Sequence, residues 1–443
     1  MSIFEGLTSY TEKKVIVLDI GTALTKYGFS SELVPRGIIP TTPALNTLVV
    51  TPFSIHEEQT RLQMVIDFFD SIFFRFHCLI FSKFYSKKSS GIACIFLFDQ
   101  RNVFRQLLIT PAKERMVIVE SMITPTLRRD LIAKVLFTRF DVTIVTDSVS
   151  VQFLLKTDLY LKIAYICFPP IHLCAAFPLG TQTALVVDVG NYETQVMAIF
   201  DGVPLIQTFQ VAPIASRAVL NRLRELIINR CFAYSQDGMY PASECAEVFQ
   251  DHILEDIKAK ICFVTNMERG HMYDRAENEQ DAEKPTPPPN VEYVLDEDKI
   301  LIIDGCIREL AAEIIFLYDE DGNSIPQLII ESILRCPIDI RKVVAERILV
   351  IGGGCMMPGF MARLKEELLD NLNRSDRFAE KTAIRKVKFF KSPAAENYMA
   401  WLGGSVIGSL DIVPYRSVSL LNMQNGCVPD WSTSFTFNPN NSS

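Results

Sequence analysis

One phrase occurs twice in this chain. Val15-Ile16-Val17-Leu18-Asp19-Ile20-Gly21-Thr22-Ala23 is matched about 170 residues later by Ala184-Leu185-Val186-Val187-Asp188-Val189-Gly190-Asn191-Tyr192. Each is a short β-branched run, then Asp, one apolar residue, Gly and a turn. Such a run reads as a buried strand, and the Gly lets the chain reverse tightly while exposing backbone N–H groups. Two such hairpins facing each other could hold a triphosphate on those N–H groups, with Asp19 and Asp188 holding the water shell of Mg²⁺. One Asp-x-Gly is weak; two, each opening a half of similar design, predict a duplicated α/β fold closed on ATP.

A third phrase has the same bearing. Arg347-Ile348-Leu349-Val350-Ile351-Gly352-Gly353-Gly354-Cys355-Met356 reads as a strand and a Gly-rich turn, with a helix following over Met361 to Leu372. Glycines before a helix N-terminus allow close approach of a nucleotide. The competing reading is a packing turn between strand and helix.

At 443 residues the chain has room for two or more domains. Lys plus Arg number 44 against 52 Asp plus Glu, a net charge of −8 that argues against a general nucleic-acid binder. The 11 cysteines form no C-x-x-C pair and no zinc spacing, which fits reduced thiols in a cytosolic protein. Met1 to Lys14 is too polar for a signal peptide. The most apolar stretch, Ile163 to Leu179, is broken by Pro169-Pro170, so no membrane span is expected.

Strands are expected at 15–20, 26–30 and 116–120, with a helix from Thr126 to Arg139 after Pro125. The second unit opens at Ala184 with a strand and a return strand from Thr194 to Phe200. Helices are expected at about 215–231, 246–266, 299–318 and 361–373. Glu268 to Asn290, charged and then Pro-rich, reads as a solvated loop. Cys78–Val103 and Asp158–Pro178 are aromatic and Cys-bearing without clear periodicity, and read as insertions outside the core. The domain reading is 1–183, then 184–412 with an outer subdomain at about 205–298, then a tail, 413–443, loosely ordered beyond about 432.

At these phrases the chain resembles actin and the actin-related proteins. The resemblance covers nearly the whole length once the two odd segments are set aside. It includes Lys26-Tyr27-Gly28-Phe29, Val119-Glu120-Ser121…Pro125, Asp256 to Val264, Cys336-Pro337-Ile338-Asp339-Ile340-Arg341-Lys342 and Trp401-Leu402-Gly403-Gly404-Ser405. Pro287-Pro288-Pro289-Asn290-Val291, Asp256 to Val264 and Arg335 to Asp339 resemble the branch of that family found at the pointed end of dynactin.

The resemblance implies an actin-like fold, shared with hexokinase and heat-shock ATPases, with ATP or ADP and Mg²⁺ in a cleft between two domains. It places Asp19, Gly21, Thr22, Ala23 and Lys26 on the first phosphate hairpin, and Asp188, Val189 and Gly190 on the second. Gly353, Gly354, Cys355 and Met356 match the adenosine turn, Lys258 a nucleotide-contacting lysine, and Tyr398 lies beside the base. Asp19 and Asp188 would hold Mg²⁺ through water.

The departures matter as much. Where the family has Asp-Ser-Gly-Asp-Gly, this chain has Asp188-Val189-Gly190-Asn191-Tyr192. Asn191 removes a carboxylate, Val189 a hydroxyl. Tyr192 stands where Gly tolerates positive φ, so strain and crowding of the phosphates are expected there. The family's water-positioning Gln falls on Ser150, with Gln152 two residues away on another helix face. Its assisting His falls on Gln195, and its ribose-holding Glu on Ala259. Hydrolysis needs a placed nucleophile, so nucleotide binding with little or no hydrolysis is expected, and no catalytic residue is assigned.

The stretch Pro40 to Glu120, less Cys78–Val103, is shorter than in actin, and Pro40 to Asn46 runs almost directly into an expected strand at Thr47–Val50. The loop that grips the next subunit therefore reads as missing. By resemblance this implies a cap on the pointed end of dynactin's actin-like filament, in the cytoplasm and cytoskeleton, with the filament and the pointed-end subunits as partners. The alternatives are a nuclear actin-related subunit of a chromatin remodeller, and an active ATPase of the actin and sugar-kinase superfamily.

Overall fold

Both repeated phrases are strand-turn-strand hairpins in a computed structural model of the chain, which describes residues 15–41, 115–138, 165–236, 238–278, 284–296, 299–318, 322–374, 384–410 and 417. These residues fall into two compact units. One draws on Met1–Pro178 and Ala400–Ser443, the other on Leu179–Met399.

The first unit contains β1 (Val15–Ile20), β2 (Leu24–Phe29), β3 (Gly37–Pro40), β4 (Arg115–Val119), α1 (Thr126–Thr138), β5 (Tyr165–Cys167) and α2 (Ile171–Ala176). Its sheet runs β3-β2-β1-β4-β5, with β1 antiparallel to β2 and parallel to β4. Val15 to Leu18 are buried along the whole strand, as a central strand covered on both faces requires. The C-terminal helix Met399–Gly408 closes this unit. Trp401 Nε1 donates to the Val17 carbonyl at 3.1 Å, and Gly403 lies against the Cys174 carbonyl. That packing takes the chain from Ala400 into the first unit, whereas the sequence reading kept it in 184–412.

The second unit repeats the plan. It begins with β6 (Ala184–Val189), β7 (Thr194–Phe200), β8 (Val203–Pro204), β9 (Gln210–Ala212) and α3 (Ser216–Arg230). There follow β10 (Phe232–Ser235), β11 (Gly238–Pro241), α4 (Asp251–Ile261), α5 (Met267–Asn278), β12 (Val291–Asp296), β13 (Lys299–Ile303) and α6 (Ile307–Glu313). The unit ends with α7 (Ile325–Arg335), α8 (Ile338–Ala345), β14 (Ile348–Ile351) and α9 (Phe360–Arg374). β6 is antiparallel to β7 and parallel to β14, as β1 is to β2 and β4. A second sheet, β11-β10-β13-β12, is wholly antiparallel. The duplicated α/β expectation holds at the level of strand pairing.

Several sequence expectations are corrected. The described part of Asp158–Pro178 is core: β5 pairs with β4, and His172 to Ala176 of α2 are buried. Residues 299–318 are not one helix, because Lys299–Ile303 is a strand between β10 and β12. The span 246–266 contains α4 but starts in a 3₁₀ turn, Ala242–Val248. Glu268–Asn290 is no solvated loop. Its first half is α5, and the Pro-rich half is tied down where Arg269 Nη2 donates to the Thr286 carbonyl at 2.5 Å and Arg308 Nη1 to the Pro289 carbonyl at 3.1 Å. Cys78–Val103, residues 42–114 of the shortened Pro40–Glu120 stretch, Ser150, Gln152 and the tail beyond 432 lie outside the described residues. No helix among the described residues is long and apolar enough to cross a membrane.

Candidate functional site

The first half-site is the β1–β2 turn. Asp19 pairs with Lys26 across the hairpin, and Ile20 with Thr25. Gly21 N–H closes the turn on the Leu24 carbonyl at 3.2 Å. A Cβ on Gly21 would stand 2.8 Å from that carbonyl, which is why glycine sits there. Thr41, at the end of β3, holds the turn from behind: its hydroxyl donates to the Gly21 carbonyl at 2.7 Å, and its N–H to the Ala23 carbonyl at 2.9 Å. Lys26 Nζ lies 2.9 Å from Asp19 Oδ2, with both groups largely buried. Asp19, Gly21, Thr22, Ala23 and Lys26 are thus one cluster.

The second half-site repeats that turn. Gly190 N–H closes on the Glu193 carbonyl at 3.1 Å. Its remaining carbonyls are tied to the start of α3, where Ser216 N–H donates to Gly190 O at 3.3 Å and Arg217 N–H to Asn191 O at 2.7 Å. Two of the helix's orphan N–H groups are satisfied in this way. Lys258, on α4, reaches the same place: Nζ donates to Ser216 Oγ at 2.5 Å and pairs with Glu255. The third phrase folds as expected, β14 followed by a 3₁₀ turn, Gly353–Met356. Gly352 has φ +97°, and a Cβ there would lie 2.3 Å from the Val189 carbonyl and 2.7 Å from Asp188 Oδ1. Asp188, Gly190, Lys258, Gly353 and Gly354 therefore converge, with Met356 exposed at the turn's edge. Tyr398 sits in the 3₁₀ turn Glu396–Tyr398, held by Gly352 N–H donating to the Glu396 carbonyl at 2.9 Å.

Tyr192 corrects an expectation. Among the described residues only Ser31 and Asp201 are non-glycine positions with positive φ, so the turn accepts Tyr192 without left-handed strain. Its ring is 47% exposed. Gln195 is buried, and its Nε2 donates to Glu193 Oε1 at 3.3 Å. Burial pushes the Glu193 carboxyl up, against the lowering effect of that bond. Burial also pushes the Cys355 thiol far up, with Glu396 and Asp188 adding to the shift.

The donor sets suit a phosphorylated ligand with a hydrated cation. Among the described residues, no group of three or more His, Cys, Asp or Glu could cage a metal. Each half-site instead offers one carboxylate, one lysine and a turn where added side-chain atoms would collide. Sequence reasoning missed Ser216, Thr41 and Gly352 as parts of the site. Only Gly352 carried a local signal, as the first of three glycines.

Residues 97–420 match the actin family. The chain belongs to the actin family. That family's fold generally binds a nucleotide with a divalent cation. Actin-related protein 10 of Dictyostelium discoideum is 25% identical over 435 residues, 90% of this chain and 83% of the relative. Actin-related protein 2 of Arabidopsis thaliana is 22% identical over 410 residues, 90% of this chain and 92% of the relative. Putative actin-29 of Dictyostelium discoideum is 26% identical over 246 residues, covering 54% of this chain and 56% of the relative. The similarity to Actin-related protein 10 extends over 90% of this chain, so the chain is an actin-related protein similar to Actin-related protein 10.

Proposed function

We propose that this chain is a non-polymerising actin-related subunit that closes the pointed end of dynactin's actin-like filament and docks the other pointed-end subunits. It would act in the cytoplasm, on the cytoskeleton, in dynein-driven movement along microtubules. The observation that carries this reading is the similarity to Actin-related protein 10 over 90% of the chain. The strings from Asp256 to Val264 and around Pro287 to Pro289 and Cys336 to Asp339 support it.

The same reading gives the chain ATP or ADP with Mg²⁺. Thr22 and Ala23 would meet phosphate with backbone N–H groups at the turn that Gly21 allows, and Lys26 with charge. In the second unit Lys258 would meet phosphate with charge, beside the turn that Gly190 allows. Asp19 and Asp188 would accept hydrogen bonds from water around the cation, and Gly353, Gly354 and Met356 would flank the adenosine. When bound, Mg²⁺ offsets phosphate charge. The chain's own residues argue against turnover. An amide at Gln195 cannot take up a proton as an imidazole can, and this one is engaged by Glu193.

Single-filament microscopy tests the proposal. The purified chain, added to dynactin's actin-like filaments, should stop subunit exchange at one end only, and phosphate release from Mg-ATP should stay at background. Elongation by the chain from both ends, or co-purification with chromatin-remodeller subunits in place of dynactin, would overturn it.

A further inference from the structure

The outer sheet of the second unit has two unlike faces. Ala233 and Leu301 are fully buried on one face, beside Tyr240 and Tyr293. The register puts Phe232 beside Ile302, and Tyr234 between Met239 and Ile300, on the other. Ile300 in turn pairs with Val294. That second face is apolar yet open: Val294 is 66% exposed, Met239 65%, and Phe232 and Tyr234 49% each. Antiparallel sheets with one solvated face usually carry polar residues there, and a contiguous exposed apolar patch marks a contact surface.

Width and charge choose the occupant. The apolar rows cross all four strands, roughly 14 Å at ~4.8 Å per strand, which suits one helix about 10 Å wide. A strand added at either edge would touch β11 or β12 alone. On β12 the exposed Glu292 pairs with Ile302 on this face, so a carboxylate borders the patch on that edge, while Asp296, past a register shift after Val294, pairs with Lys299. A second copy would bring the same acidic edge and the same net charge of −8. We infer that this face docks an amphipathic helix of another protein, its apolar stripe on Tyr234, Met239 and Val294 and its Lys or Arg flank on the β12 edge. The inference does not depend on the capping role, since a chain that fails to stop filament exchange can still bind here.

Two fluorescent helical peptides with one leucine stripe, flanked by Lys in one and by Glu in the other, test it by anisotropy against the full chain. The Lys peptide should bind at least tenfold more tightly than the Glu peptide. Val294→Lys should cut that binding at least tenfold, and Glu292→Lys should reverse the preference between peptides, both with unchanged thermal melts. Equal binding of the two peptides, no binding of either, or full binding by Val294→Lys would overturn the inference. So would a dimer, seen by mass photometry, that Val294→Lys dissolves, because the occupant would then be a second copy.

Discussion

Arg363 carries the largest concentration of charge inside the second unit. It is 2% exposed. Its guanidinium meets both Glu313 oxygens at 3.0 and 3.1 Å, Glu367 Oε1 at 2.8 Å, and the carbonyls of Thr265 and Asn266 at 3.2 and 3.1 Å. It also stacks over Phe316, 4.8 Å from the ring centre. The network is valued for what its loss would leave: two buried carboxylates without the guanidinium, Glu367 keeping only His271 Nε2 at 3.8 Å among the described residues. Breaking a buried pair from one side costs about 3–5 kcal/mol. Arg363→Met should therefore lower the unfolding free energy read from urea titration by that order. The deficit should depend on pH in a set direction. Burial already pushes the Glu313 carboxyl above its usual range, and Arg363 opposes that push. Without Arg363 the folded value rises further. A raised folded value favours the folded state fully below the ordinary glutamate range, and the favour is lost as pH climbs through the folded value. The gap between Arg363→Met and the native chain should thus be widest at pH 8 and shrink toward pH 4.5. A gap that is flat across that range, read from parallel urea titrations, would remove Glu313 as its cause.

At the scale of elements, the C-terminal helix is the tightest joint in the first unit. A Cβ on Gly403 would stand 1.7 Å from the Cys174 carbonyl, so even alanine forces backbone apart. Overpacking of this kind costs about 1–3 kcal/mol. Gly403→Ala should speed hydrogen exchange in β1, which the helix holds through Trp401, while leaving β6 unchanged; equal protection in β1 would show that the helix yields instead. The elements the sequence made legible share a property that these lack. β1, β6 and β14 announce themselves because β-branched runs end in glycine, and Gly21 and Gly190 are required by the carbonyls they face. Val15 to Ile20 and Ala184 to Val189 are read correctly for that reason. β5 and α2 are not legible, since a short parallel strand and a helix buried on every side show neither the two-residue nor the helical rhythm. β13 was hidden by Ile300-Leu301-Ile302-Ile303, an apolar run that fits strand or helix alike. α5 was hidden by its charges: Glu268, Asp274 and Arg275 are exposed, while Tyr273 faces the core. The Lys258–Ser216 bond spans 42 residues and exists only because α3 packs on α4, so no local pattern could announce it.

On the scale of the whole molecule the duplication sets the sharpest question, whether the two half-sites serve one ligand or two. The hairpins are alike in closing bond, in the glycine that opens the turn, and in carrying one carboxylate and a nearby lysine. Likeness alone is compatible with two independent phosphate sites. The two differ in detail: the second unit adds the Gly352–Met356 turn, and the first has its lysine pressed directly on the aspartate. Under the proposed function, calorimetry of Mg-ATP or Mg-ADP binding should give one nucleotide per chain. Lys26→Met in the first unit and Lys258→Met in the second should each weaken that single event by about tenfold or more, as the loss of a charge-assisted hydrogen bond of about 1.5–3 kcal/mol predicts. Bound nucleotide at 100 times its dissociation constant should stabilise the native chain by about 2.7 kcal/mol, and a variant that binds tenfold more weakly should keep only about half of that shift at the same ligand concentration. Two nucleotides per chain, with each lysine variant erasing one and sparing the other, would separate the halves into unrelated sites and leave the duplication as architecture alone.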